Sequence, residues 1–135
     1  MRISVILTAT VMAVLTLYLT RGDTATTEDP RPMIAHNVYF LLNETSTEAQ
    51  QKLVAECHEY LADIPGIAFY AAGTLAEQFD RPVNDRDFHV ALHVVFTDGD
   101  AMKTYLEHPR HVEFVERNKA NWAKVRVFDS AVEQP

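Results

Sequence analysis

The chain has 135 residues, and its acid–base chemistry is concentrated: all six histidines fall between His36 and His111. The densest constellation is Tyr105, His108 and His111 in the run YLEHPRH. Spacings of three and three keep these groups near one helical face, although Pro109 interrupts the register. An imidazole changes charge near neutral pH and a phenol donates a hydrogen bond, so together they can perform general acid–base work. Plainer roles compete. His108 precedes a proline and can cap a helix, and Tyr105 can bury its ring with its hydroxyl satisfied locally. His36 lies in a strand-like run, on the face that should meet the helices. A metal centre is not expected. His89 and His93 share a strand face but stand about 13 Å apart along it, and His108 with His111 would need Glu107 or Asp100 as a third ligand. The single cysteine, Cys57, lies on an apolar helix face and reads as a core thiol. No glycine-rich phosphate loop, nucleophile elbow or serine triad signature is present, so no cofactor is called for.

Composition narrows the classes further. The net charge of −7 sits entirely in residues 33–135, which carry 9 basic and 16 acidic side chains. A domain this acidic is a poor partner for nucleic acid or an anionic membrane surface. Met1-Arg2 precedes an apolar run from Ile3 to Thr20, the arrangement of a secretory signal peptide or an uncleaved anchor. The expectation is a leader over residues 1–21, a small polar linker over 22–32 and one domain over 33–135. The protein is then exported: periplasmic, secreted or held to a membrane through residues 3–20.

The elements that must position the histidines follow from hydrophobic period. Ile34 to Leu42 alternates as a strand, with Ile34, His36, Val38, Phe40 and Leu42 on one face. Thr45 and Glu48 have capping-box spacing for a helix running to about Asp63, and Pro65-Gly66 ends it. On that helix Leu53, Val54, Cys57, Tyr60 and Leu61 face inward, while Lys52, Glu56, Glu59 and Asp63 face water. Ile67 to Leu75 is a second strand, and Gln78 to Asp87 an exposed loop. The third strand, Phe88 to Thr97, sets Phe88, Val90, Leu92, Val94 and Phe96 on one face and His89, Ala91, His93 and Val95 on the other. A short helix follows, then a second opened by His108-Pro109 with His111, Val115, Asn118 and Trp122 near one-turn spacing, then a closing strand from Lys124 to Val132. Two βαβ-like units in series predict an α+β, ferredoxin-like βαββαβ sandwich with helices on one sheet face. The other face, with Tyr39, His89, Ala91, His93 and Val95, is too apolar for water, which predicts a symmetric homodimer.

The runs MIAHNVYFLL, DIPGI, FHVALHVVFTD, AMKTYLEHPRHVEFV and VRVFD, in this order and spacing, resemble the stress-responsive A/B barrel (Dabb) domain family over residues 33–131. The resemblance implies a ferredoxin-like fold paired into a dimeric α/β barrel. Plant olivetolic acid cyclases of this family cyclise a linear polyketide by proton abstraction and aldol condensation. For this chain the resemblance implies Tyr105 and His111 as the matching Tyr–His pair and His36 as the matching strand histidine. A second strand histidine of the cyclases falls at Val90 and a helix tyrosine near Cys57, which makes the expected lining less polar. The reading is a dimer that binds a small, largely apolar molecule in a helix-covered cavity lined by Val38, Phe40, Val90, Leu92, His108 and Phe114. If it is catalytic, His111 is the general base, Tyr105 its orienter or oxyanion partner, and His36 an auxiliary group. The alternative is a non-catalytic stress-response or binding module with structural histidines.

Overall fold

Strand β1 (Met33–Leu42) sits at the centre of the sheet because its alternation suits two different surroundings. His36, Val38, Phe40 and Leu42 are buried under helices, and the residues between them are half-buried on the opposite face. The computed structural model describes residues 31–135; the expected leader and most of the linker lie outside the described residues. After β1 come α1 (Thr47–Leu61), β2 (Ile67–Thr74), β3 (Val90–Phe96), α2 (Gly99–Glu107), α3 (Pro109–Asn118), a 3-10 turn over Lys119–Asn121 and β4 (Trp122–Val132). The sheet order is β2-β3-β1-β4, with every neighbouring pair antiparallel. This is the ferredoxin-like α+β fold that the sequence predicts.

Local chemistry sets the boundaries. Ser46, not Thr45, caps α1: Ala49 N–H donates to its Oγ at 3.2 Å, while the Glu44 carboxylate accepts the Ser46 N–H and turns the chain into the helix. Gly66 follows α1 with φ +91°, a left-handed conformation that glycine adopts without strain. His108 ends α2 and starts α3. Its own N–H donates to Tyr105 O, its Nδ1 accepts the Arg110 N–H at 3.2 Å, and Pro109 fills the first helical position, where an N–H would be wasted.

Other expectations need correction. The third strand begins at Val90 rather than Phe88. Upstream of that pairing the pleat lapses, so Phe88 turns to the helix-free face and packs its ring 4.9 Å from Tyr39. His89 is likewise withdrawn from the proposed dimer face, because its Nδ1 accepts the Leu42 N–H at 3.0 Å. Glu56 is buried, not on the wet side of α1; Asn118 Nδ2 donates to it at 2.7 Å and Lys52 Nζ lies 3.1 Å away. Trp122 belongs to β4 rather than to a helix, and it carries a structural consequence. The β1–β4 register slips between Leu41 and Leu42, so that Leu41 faces Lys124 but Leu42 faces Trp122. That extra residue turns Trp122 onto the helix-covered face, against Phe40 at 5.0 Å and Phe114 at 6.0 Å.

Candidate active site

Residues paired across antiparallel strands share a sheet face, so one row of the helix-covered face reads Tyr70, Val94, His36, Asp129 from β2 to β4. Above this row α2 and α3 bring Tyr105 and His111. The two rings lie 4.8 Å apart, and the Tyr105 ring is also 6.1 Å from His36 and 4.9 Å from Phe96. Between these helices and β4 opens a cavity of about 190 Å³. Its polar residues are His36, Tyr105 and His111; the remaining wall is mainly apolar, with Val38, Phe40, Leu92 and Phe114 buried, Val115 and Trp122 half-buried, and Leu106, Val125 and Val127 more exposed.

Hydrogen bonding fixes how the imidazoles present themselves. His111 Nδ1 lies 3.1 Å from Leu106 O, and a carbonyl can only accept, so Nδ1 carries the hydrogen and Nε2 keeps the lone pair in the neutral ring. His36 Nδ1 lies 2.6 Å from Asp129 Oδ1, which assigns its tautomer in the same way. Burial holds His111 below the 6.5 of a free imidazole; the Leu106 carbonyl opposes this, and His36 and His108 add to it. Burial also holds the Tyr105 phenol well above its ordinary range. Buried donors in proteins nearly always have partners. Three donors are buried with none among the described residues, the Tyr70 and Tyr105 hydroxyls and Trp122 Nε1; the Tyr105 and Trp122 side chains line this cavity and Tyr70 does not.

The residues expected to act together are only partly assembled here. His36, Tyr105, His111, Val38, Phe40, Leu92 and Phe114 all line the cavity; Val90 and His108 do not. Val90 is wholly buried where β3 meets Phe40, and the His108 ring is turned back to cap α3. Asp129 and Trp122 were not singled out as site residues by the sequence. Asp129 stands 93 positions from its partner, and only the strand register brings it beside His36. Burial pushes the Cys57 thiol up to about 12, with Glu56 adding to the shift, which makes it an unreactive core group. No three metal-ligating side chains converge among the described residues. A larger hollow, of about 540 Å³, lies on the helix-free face, and no histidine lines it.

The sequence profile of the stress responsive A/B barrel domain, Dabb, matches residues 34–132. The chain belongs to the Dabb family. Among solved structures, a Dabb protein with a ferredoxin-like fold from Mesorhizobium loti is similar with a TM-score of 0.64 and 24% identity, over 77% of this chain and all of that one. A dimeric ferredoxin-like protein of unknown function from Thermobifida fusca has a TM-score of 0.62 and 19% identity, over 76% of this chain and 92% of that one. A hydroxynitrile lyase from Passiflora edulis has a TM-score of 0.62 and 16% identity, over 78% of this chain and 98% of that one. At these identities the likeness shows the Dabb fold. No curated protein matches the sequence.

Proposed function

We propose that this Dabb protein is a homodimer whose helix-covered cavity binds a small, largely apolar molecule bearing a hydrogen-bonding oxygen, and that it performs acid–base chemistry on it. One observation carries the reading: an otherwise apolar cavity holds two tautomer-fixed imidazoles, His36 and His111, both beside the Tyr105 ring. In this reading His111 Nε2 takes a proton from the substrate, and the Tyr105 ring holds that imidazole in place. His36, oriented by Asp129, is the auxiliary group. The cavity holds no lysine or arginine among its lining residues, which disfavours phosphorylated or carboxylated substrates.

Proton abstraction beside a carbonyl is the simplest form of this chemistry, and lyase or cyclase activity would build on it. The hydroxynitrile lyase of the same fold is consistent with that class. The test is deuterium uptake at the α-carbon of a short methyl ketone such as 2-hexanone in D₂O, followed by NMR. The protein should accelerate uptake above buffer, and His111→Ala should lower the rate at least tenfold without unfolding the chain. Uptake equal to buffer, or a variant as active as the parent, contradicts the catalytic assignment. Saturable ketone binding without exchange would favour the non-catalytic binding module.

The homodimer reading rests on the apolar helix-free face and on dimeric ferredoxin-like relatives from three sources. Export rests on the Met1–Arg21 pattern, and fractionation of the native host tests it: accumulation in the cytoplasm would contradict it.

A further inference from the structure

The connection from β2 to β3, Leu75–His89, is a strap rather than a slack loop. It leaves β2 at one edge of the sheet and makes its ion pairs on β4 at the other. Asp85 pairs with Arg126, and Lys124 Nζ donates to Asp87 Oδ2 at 3.0 Å. It is also tied to itself. Arg86 pairs with Glu77 and donates to Phe79 O at 2.7 Å, and Asn84 N–H donates to Arg81 O at 2.8 Å. Arg126 lies opposite Tyr39 and Lys124 opposite Leu41, so the strap crosses the helix-free face. Beneath it is a groove of about 540 Å³ floored by the rings of Tyr39, Phe88 and Phe128 and rimmed by Arg81, Asn84 and Asp85.

This tethered segment nevertheless holds its own apolar residues out to water. Val83 is 83% exposed and Phe79 is 57% exposed. Ion pairs that hold a strap in place reduce the ordering cost of using it as a contact. A two-fold contact requires knob and hole to lie in one self-complementary patch. The strap and the groove beneath it supply both, continuous with the exposed Phe69 and Phe128 of the same face.

We propose that Val83 and Phe79 of each protomer pack into the helix-free face of a second copy, so that two straps clasp the dimer. The clasp rests on the homodimer reading and assigns it a specific contact. Sedimentation equilibrium of the protein, Val83→Asp and Phe128→Asp separates the two. Val83 is too exposed for its substitution to disturb the fold, which circular dichroism verifies. The expected result is a dimeric parent and at least tenfold weaker self-association for Val83→Asp. Val83→Asp associating within twofold of the parent, while Phe128→Asp dissociates, overturns the clasp and leaves the dimer standing. A parent that remains monomeric at tens of micromolar overturns the dimer and the clasp together.

Discussion

His111 enters the cavity with one nitrogen committed to Leu106 O and the other free, and burial sets the pH at which that free nitrogen works. A base acts only when neutral. With its folded pKa below 6.5, ketone exchange by His111 should be on its plateau at pH 7 and decline as pH falls through that lowered value. The same shift acts on stability. The unfolded imidazole takes up a proton first, so the contribution of this group is complete above 6.5 and drains away as pH falls. His36 depends on a different partner. Asp129→Ala leaves the buried imidazole N–H without its acceptor, at a cost of about 1–2 kcal/mol, the lower part of the usual range because the carboxylate is half-exposed. Asp129→Asn retains an acceptor and should recover most of that loss in denaturant unfolding. Equal losses for the two variants would show that the hydrogen bond to His36 contributes nothing. His36, Tyr105 and His111 were legible in the sequence because strand alternation and a three-residue spacing are local signals. Asp129 was not, since its role exists only through strand register, and a register slip at Leu41/Leu42 likewise decides where Trp122 points.

Among the elements, the helices are fastened by contacts that sequence period does not reveal. Arg110, within the run YLEHPRH, donates to the backbone carbonyls of Glu59 and Tyr60 at the end of α1, where a cation complements exposed carbonyls. Buried Glu56 of α1 meets Asn118 and Arg117 of α3. An Asn at a helix end reads equally well as a wet residue, so residue type alone sets Glu56 on the wet side, where the structure buries it. The α1–β2 turn was legible, because Pro65-Gly66 is a strong stop signal, and the structure shows how narrow its tolerance is. A Cβ on Gly66 would stand 2.7 Å from Ala101 Cβ on α2, in a backbone conformation that already disfavours a side chain. Gly66→Ala should therefore cost about 2–4 kcal/mol, combining left-handed strain with displacement of α2. Thermal unfolding checks this, and a loss under 0.5 kcal/mol would mean that the turn and α2 yield freely.

At the scale of the whole molecule the two sheet faces divide the work. The helix-covered face carries the small cavity, and the helix-free face carries the larger groove and the strap, assigned here to self-association. Alternation along β1 encodes both at once, which is why the βαββαβ order and the apolar second face could be read from the sequence. The strap could not, because a charged, proline-bearing loop gives no periodic signal and its ion pairs to β4 span about 40 positions. The proposed ligand, a small apolar molecule, sits in the cavity between His36 and His111. Imidazole NMR of the protein titrated with 2-hexanone tests this placement. Saturable shifts of the His36 and His111 ring signals are expected together, with exposed His58 unmoved. Unchanged His36 and His111 signals at saturating ketone, or shifts confined to His58 and His93, would contradict it.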